Sequence, residues 1–356
     1  MSAPLAGERI RAVRQLVDIS QVDLAKAAHV SQSLMSQIEN GAREASADIL
    51  ERIAAATATP LSFFYVIPPD MPLGTLRFRK SSAARSGDTK RVKVLFDEAY
   101  RVITDLLMEV NYPRPDLPVI SNEPSLRDIE EIAKATRETL QLSDDGPIRH
   151  ITRACERVGV AVVPLTLPSL GEDEEAVGHF GVSCWLSRDE PAVIGYFTGG
   201  PGDRQRYTIA HELGHLVLHG KRRVVRNPEQ EANYFASALL VPKRRAQEMF
   251  AKDVTLGGLQ QMKAHWGVSI QALIMRGANL GMIDEKRKTS LFKQLSSRGW
   301  RRNEPVVVHP EEPLLVWKLL TRKFGSPFQY SRAVDELGLG AVVLRSLVPK
   351  PSTASW

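Results

Sequence analysis

Two histidines at positions 211 and 215 are the residues of this sequence best suited to chemistry. They lie in the stretch RYTIAHELGHLVLH, whose apolar spacing predicts a helix that packs into a core. Helical residues at i and i+4 share one face, so His211 and His215 can bind the same metal ion. Glu212 follows the first histidine and can act as a general base toward a metal-activated water. The pattern therefore predicts a catalytic metal centre of the H-E-x-x-H type, with Glu212 as the catalytic residue.

A catalytic zinc site uses three protein ligands and keeps a fourth position open, so one more ligand is needed. The downstream segment PEQEANYFASALLVP predicts a second buried helix that begins at Pro228 and ends by Pro242. An acidic residue near its start can reach the two histidines. We prefer Glu229 as this ligand, with Glu231 as the alternative, and we expect His219 beside the site rather than as a fourth ligand. Zinc is the expected metal, while manganese or iron also suits these donors.

The two segments together, R-x-R-Y-T-I-A-H-E-L-G-H-L-V-L-H and E-x-x-A-N-x-F-A-x-x-L-L-V-P, resemble the ImmA/IrrE family of metallopeptidases. The resemblance covers approximately residues 120–250 and implies a zincin-like domain with a small sheet. It implies that His211, His215 and Glu229 bind the metal and that Glu212 is the base. It also implies a protein substrate that is itself a repressor, cleaved in a stress or mobile-element response.

Residues 1–67 predict five short helices, with Ser20 and Ser31 as N-caps and Gly41 as a C-cap. The order S-Q-x-D-L-A-x-x-A-x-V-S-Q-S-x-M-S-Q-I-E-N-G resembles the XRE/Cro-type helix-turn-helix repressors. The resemblance implies that the third helix enters the major groove of double-stranded DNA. The candidate DNA contacts are Gln32, Ser33, Ser36 and Gln37 for bases, and Gln21, Asn40 and Arg43 for phosphates. The face is not strongly basic, so we expect a homodimer on the operator; a helical protein-interaction module is the alternative.

Residues 68–119 predict a basic linker and a connecting helix. The basic run has two interpretations, a segment along the DNA backbone or a solvated flexible connector. The helix is expected over 94–110, where core packing is preferred over pairing in a dimer. Further along, the acidic residues Glu172–Glu175 predict a solvated loop.

Residues 251–356 predict a C-terminal region of mixed structure. A small helical unit is expected around Trp266–Ser269, and the strand-like Val306–Val308 precedes a predicted helix. Dimer contact, effector sensing and structural support remain alternatives for this region.

Composition limits the class of protein. The chain has 356 residues, 43% hydrophobic and 25% charged, which suggests two or three soluble domains. It contains no apolar run of about 18 residues and no apolar N-terminal segment, so we expect no membrane partner, no secretory signal and a cytoplasmic location. Cys155 and Cys184 have no metal-like spacing and are expected as buried thiols. The net charge of +6 favours an anionic partner.

These features predict a mainly helical α+β protein with an N-terminal helix-turn-helix unit, a peptidase domain and a mixed C-terminal region. The predicted function is a DNA-binding transcriptional regulator with a zinc-type metalloendopeptidase domain, which cleaves a repressor-like protein in trans or its own linker. The alternative is a transcription factor whose peptidase-like domain senses a metal, ligand or partner without proteolysis. Glu212 argues for activity, because a sensor has no need of a general base.

Overall fold

The computed structural model describes residues 6–68, 77–80, 86–166, 179–222, 225–251, 254–326 and 328–351. Over these ranges the chain is mainly helical and contains a four-stranded sheet, which confirms the predicted α+β class. In the described part of the chain, every helix is too short or too polar to cross a membrane. The acidic residues Glu172–Glu175 lie outside the described residues.

The N-terminal unit contains four α-helices and one short 3-10 helix: α1 (Ala6–Leu16), α2 (Gln21–Ala27), α3 (Gln32–Glu39), α4 (Ala47–Thr57) and the 3-10 helix Leu61–Tyr65. The side chains of Ser20 and Ser31 accept hydrogen bonds from the backbone of Asp23 and Leu34, which confirms both predicted N-caps. Gly41 follows α3 with a φ of 72°, a conformation that favours glycine. The fifth predicted helix exists as a single 3-10 segment.

The sheet is mixed. Its strands are β1 (Arg77–Lys80), β2 (Val160–Leu165), β3 (His179–Cys184) and β4 (Ala192–Phe197), in the order β1-β3-β4-β2. β2 and β4 pair in parallel, and the other two pairings are antiparallel. β2 and β4 are buried along their whole length, so the sheet lies inside the molecule with structure on both faces.

Twelve further α-helices lie in the described ranges: α5 (Ser86–Glu109), α6 (Leu126–Thr139), α7 (Ile151–Arg157), α8 (Gly202–His219), α9 (Pro228–Leu240), α10 (Lys243–Phe250), α11 (Leu256–Trp266), α12 (Ile270–Asn279), α13 (Glu285–Ser297), α14 (Leu315–Phe324), α15 (Tyr330–Leu337) and α16 (Ala341–Leu347). α8 begins at Gly202, earlier than the predicted stretch, while α9 begins at Pro228 as expected.

The sheet separates two hydrophobic cores, because successive strand residues point to opposite faces. Ala161 and Val163 belong to a core shared with α1–α5 and α14–α16. Val160 and Val162 belong to a core shared with α6–α13, including α8, which carries His211 and His215. The N-terminal helical unit and α8 therefore lie on opposite faces of one sheet.

Both cysteines are buried thiols outside any disulfide, as predicted. Cys184 belongs to the first core and Cys155 to the second, so the sheet keeps them apart. Burial raises the pKa of the Cys155 thiol, which disfavours the reactive thiolate.

The connecting segment differs from the prediction. Residues Arg77–Lys80 form a strand, and α5 begins at Ser86 rather than near 94. Arg91 is only 5% exposed and pairs with Asp18 at 3.0 Å, so it does not lie along DNA. The interpretation as a wholly flexible connector is wrong for these residues, because strand pairing and core packing fix them. Core packing of α5 is confirmed.

The C-terminal region is packed into both cores rather than attached as a separate unit. The predicted strand at Val306–Val308 is absent from the described chain. Instead, the carbonyl of Val308 accepts a hydrogen bond from Gly202 N at 2.9 Å, at the start of α8. Lys263 joins Asp203 of α8 to Glu304 through buried ion pairs of 2.6 and 3.0 Å. The segment 304–311, before α14, is thus a C-terminal strap that holds the start of α8.

Candidate metal centre and DNA-reading surface

The active-site helix α8 is buried along most of its length. Gly214 lets α9 approach it closely, since a Cβ at that position would lie 2.9 Å from a ring atom of Phe235 and 3.3 Å from the Cα of Ala232. This contact brings the first turn of α9 beside the histidines of α8. The glycine of the H-E-L-G-H motif is therefore required by the close packing of α8 against α9.

His211, His215 and Glu229 converge, and their ligand atoms all lie within 4.8 Å of one another. The Nε2 atoms of the two histidines are 3.0 Å apart, and each lies 3.3 Å from a different carboxylate oxygen of Glu229. Ligand atoms at about 2.0–2.1 Å from a tetrahedral zinc ion are separated by about 3.3 Å. The donor types and their spacing therefore fit a zinc-type ion.

Glu229 forms the open side of this cluster. Its side chain is 52% exposed, whereas those of His211 and His215 are buried. Partial burial raises the pKa of the Glu229 carboxyl, but the two histidines, when their Nε2 atoms are protonated, donate hydrogen bonds that outweigh burial and hold that pKa below its usual value. The carboxylate is thus ionised and available as a ligand.

The opposite ring nitrogens of both histidines are also engaged. His211 Nδ1 lies 3.0 Å from Asn233 Oδ1, and Tyr207 Oη donates to the backbone oxygen of Asn233 at 3.1 Å. With the amide oxygen as acceptor, His211 carries its proton on Nδ1 and leaves Nε2 unprotonated for a metal.

A longer chain of contacts orients His215. Its Nδ1 lies 2.9 Å from His219 Nδ1, and His219 Nε2 lies 3.1 Å from Glu231 Oε2. Arg222 pairs with the same carboxylate. If Glu231 accepts the proton of His219 Nε2, then His219 Nδ1 accepts the proton of His215 Nδ1, and His215 Nε2 faces the metal unprotonated. Glu231, the alternative third ligand, is thus directed at His219, which lies beside the site as expected.

Glu231→Gln should weaken metal binding about 10- to 100-fold, because a neutral amide no longer fixes the His219–His215 chain. Competition with a zinc chelator measures the change. Glu131→Gln, which replaces an exposed glutamate of α6, is the matched control and should bind zinc like the wild type. Equal affinity of Glu231→Gln and wild type would show that this chain of contacts does not support the ligand.

Glu212 is fully buried and held by β3. Ser183 Oγ donates to Glu212 Oε2 at 2.8 Å. A Cβ at Gly181 would lie 2.6 Å from Glu212 Oε1, so only glycine leaves room for the carboxylate there. The two residues of β3 therefore fix the position of the predicted base.

Arg206 also has a structural partner. It pairs with Glu311 at 2.6 Å, both side chains are buried, and Glu311 accepts hydrogen bonds from the backbone of Ile151 and Thr152 at 3.1 and 2.8 Å. His150 lies 3.0 Å from the same carboxylate. Burial raises the pKa of Glu311, but the bond to His150 and the charge of Arg206 outweigh it and lower the pKa to about 2. The C-terminal strap is thereby tied to α7 and α8.

The depressed pKa of Glu311 predicts a pH-dependent contribution to stability. A carboxyl with a pKa of about 2 in the folded state and 4.5 unfolded stabilises the fold above pH 4.5 and loses this effect as pH falls toward 2. Glu311→Gln should cost roughly 3 kcal/mol at pH 6 and progressively less toward pH 2. Urea unfolding at several pH values, beside the exposed Glu285→Gln as control, measures it. A loss of unfolding free energy that does not change with pH would contradict the low pKa assigned to Glu311.

The predicted recognition helix α3 presents its polar side chains outward. Gln32, Ser33 and Gln37 are exposed and Ser36 is partly exposed. Past the end of the helix, the candidate phosphate contacts Asn40 and Arg43 are exposed as well. Gln21, the third candidate phosphate contact, donates its amide to Glu39 at 3.0 Å and accepts from Gln32 at 2.8 Å. Its side chain therefore supports α3 from α2.

Glu39 holds this helix-turn-helix together. Its carboxylate is buried and accepts hydrogen bonds from Arg14 of α1 at 2.7 and 3.0 Å, besides the bond from Gln21. Three helices are thus joined at one carboxylate, which fixes the orientation of the exposed face of α3.

A cavity of about 910 Å³ lies beside the metal site, between α8, α9, α12, α13 and the C-terminal strap. Tyr207 and Asn233 line it, their side chains contact each other, and Asn233 also contacts His211. Basic residues Arg204, Arg301 and Arg302 also line the cavity, together with the strap residues around Val307.

The three candidate ligands predicted from the sequence lie together in the structure, but the sequence does not indicate most of the residues that contact them. Asn233 is indicated by its spacing, since it lies one helical turn after Glu229 on the same face. Ser183 contacts Glu212 across 29 residues and Glu311 contacts Arg206 across 105, and no local pattern in the sequence indicates either contact.

Two family models match the chain. A helix-turn-helix model matches residues 10–64, and a model described as an IrrE N-terminal-like domain, Peptidase_M78, matches residues 187–276. Two proteins of Mycobacterium tuberculosis, from strains CDC 1551 / Oshkosh and ATCC 25618 / H37Rv, are each 31% identical over 99 residues. The match covers 28% of this chain and 71% of each relative, and both are named uncharacterized HTH-type transcriptional regulators.

The first model contains the exposed helix α3, and the second contains His211, Glu212, His215 and Glu229. The chain therefore belongs to the XRE-type helix-turn-helix transcriptional regulators, and it carries an IrrE/ImmA-like metallopeptidase domain.

Proposed function

We propose that this regulator is an active metalloendopeptidase that cleaves a repressor-like protein. The observation that carries the proposal is the buried carboxylate of Glu212, which Ser183 and Gly181 hold next to the cluster of His211, His215 and Glu229. A metal sensor needs the three ligands alone. A fixed base beside them is what hydrolysis requires.

Each group of the site has a separate chemical role. A zinc ion, when bound, activates water and polarises the scissile carbonyl. Glu212 accepts the proton of the attacking water and transfers it to the leaving nitrogen. The half-exposed Glu229 lies on the side from which a peptide can enter.

The DNA-binding unit directs the protein to an operator. We assign base contacts to Gln32, Ser33, Ser36 and Gln37, and phosphate contacts to Gln21, Asn40 and Arg43. Because α3 has few basic residues, a homodimer that binds two half-sites best explains specific binding.

The test is metal-dependent proteolysis. The purified chain is incubated with zinc or manganese, alone and with repressor-like proteins encoded near its gene. A fragment that forms with metal, and not with chelator, supports an endopeptidase and identifies the substrate. Full-length partners under every metal, with operator binding intact, would overturn the proposal.

The same experiment separates cleavage in trans from cleavage of the chain itself. Self-cleavage in the linker should convert the intact protein into two fragments in the presence of metal. His211→Ala, which removes a metal ligand, should then stay full length. If both proteins stay intact, cleavage occurs in trans or not at all.

One observation favours the alternative of a ligand sensor without proteolysis. The 910 Å³ cavity is large enough for a small molecule, and its lining residues Tyr207 and Asn233 lead to His211. A sensor should change its operator affinity on binding a small molecule, equally in wild type and Glu212→Gln. Operator titrations with and without cell-extracted metabolites measure this effect.

A further inference from the structure

The connecting segment contributes a strand to the sheet of the peptidase domain. β1 forms the outer edge of the sheet and pairs antiparallel with β3. The register aligns Arg77 with Ser183, Phe78 with Val182, and Arg79 with Gly181. Lys80 aligns with His179 after a register shift. A four-residue segment from the N-terminal third of the chain thus covers the edge of β3.

β3 is also the strand that holds the catalytic base. Ser183 donates to the carboxylate of Glu212, and Gly181 lies against the same carboxylate. These two residues are the partners of Arg77 and Arg79 in the pairing with β1. A strand on this edge lies about 4.8 Å from the backbone of β3.

An exposed strand edge binds an extended peptide through main-chain hydrogen bonds, without demanding a particular sequence. Such a peptide on β3 would run alongside the residues that fix Glu212. The edge of β3 therefore has the position and the hydrogen-bonding groups required to present an extended protein segment to the site.

We propose that Arg77–Lys80 act as an internal competitor that occupies the outer edge of β3, where an extended substrate segment would otherwise pair. This inference rests on the proposed function and concerns the regulation of that site. Pairing of β1 and pairing of substrate exclude each other, so substrate binds only when β1 leaves. Because β1 has four residues and an irregular register, a longer substrate strand can replace it.

Occupancy of the edge also connects the two functions of the chain. β1 lies between the 3-10 helix of the DNA-binding unit, which ends at Tyr65, and α5, which begins at Ser86. α5 in turn packs against α1. The segment that blocks the peptide edge is therefore the covalent connection between the DNA-binding unit and the helix that supports it.

The test compares peptide binding in variants of the full-length, zinc-loaded Glu212→Gln protein, in which the probe is not cut. Adjacent residues of a strand alternate in bonding to a neighbour, so Phe78→Pro with Arg79→Pro removes at least one N–H from the pairing with β3. Phe78→Ala with Arg79→Ala keeps both N–H groups and is the matched control. The probe is a fluorescein-labelled peptide of sequence TLRFRKSSA, which is residues 75–83.

The proline variant should bind the probe at least about 10-fold more tightly than the parent and the alanine control, as expected when an internal competitor occupies 90% or more of the sites. A second probe, with prolines in place of its own Phe and second Arg, should bind the proline variant at least about 10-fold more weakly than the unmodified probe does. Equal affinity of the three proteins, or of the two probes, would overturn the proposal.

A disulfide provides a second measurement, which holds β1 in place instead of removing it. Phe78→Cys with Val182→Cys places two thiols at one register position of the antiparallel pair. The oxidised protein should bind the probe at least about 10-fold more weakly than the reduced one, and unchanged binding would count against the proposal. Neither measurement needs hydrolysis, so a chain that cleaves nothing can still pass both, and a chain that cleaves can fail both.

Discussion

Glu212→Gln should lower the rate of peptide cleavage about 10²- to 10⁴-fold while leaving zinc content and operator binding unchanged. Gln has the shape of Glu, so it fits beside Gly181, where the carboxylate now lies. Ser183 can still donate to the amide oxygen at the position of Oε2. The substitution therefore removes the base and little else.

Single-turnover cleavage of the identified substrate measures the rate, and elemental analysis measures the zinc. Ser183→Ala is the matched comparison, because it removes one hydrogen bond to Glu212 and keeps the carboxylate. It should reduce the rate less, by about 5-fold, since a net hydrogen bond contributes about 1 kcal/mol. If Glu212→Gln keeps more than a tenth of the wild-type rate, Glu212 is not the general base.

Features that the sequence predicts involve residues close together along the chain. Features that only the structure reveals join residues that are far apart along the chain. The candidate ligands His211 and His215 are one helical turn apart, and Glu229 lies in the first turn of the next helix, so local periodicity is sufficient to propose them together. Glu311, which fixes Arg206, is more distant than any periodic pattern extends. Contacts of this kind depend on how helices and strands pack against one another. No local pattern in a single sequence indicates that packing.

The connecting segment shows the same limit in another form. Basic residues and nearby prolines are typical of linkers, so the sequence predicts a linker at Arg77–Lys80. A four-residue strand has no periodicity that distinguishes it from such a linker. Its pairing depends on the free edge of β3, about 100 residues further along the chain. The helix-turn-helix, by contrast, was predictable because its caps and glycine are local signals.

Glu98→Ala should lower the free energy of unfolding by about 3–5 kcal/mol. The Glu98 carboxylate is 1% exposed and lies in α5, where it pairs with Arg9 of α1 and with Arg101 at 3.0 Å. Arg9 also donates to Phe63 O at 2.9 Å, and Arg101 donates to Leu337 O at 2.8 Å, at the end of α15. The substitution leaves two buried guanidinium groups without their carboxylate, at the point where the DNA-binding unit, α5 and the C-terminal helices meet.

Urea unfolding followed by circular dichroism measures this loss. Asp48→Ala is the matched control, because it removes one partner of an exposed i,i+4 pair with Arg52 and should cost less than about 1 kcal/mol. Glu98→Gln keeps a hydrogen-bonding group without the charge and should lie between the two. A loss for Glu98→Ala as small as that of Asp48→Ala would show that water reaches the two guanidinium groups. The DNA-binding unit would then be held mainly by the apolar contacts of α1, such as Ile10 and Val13.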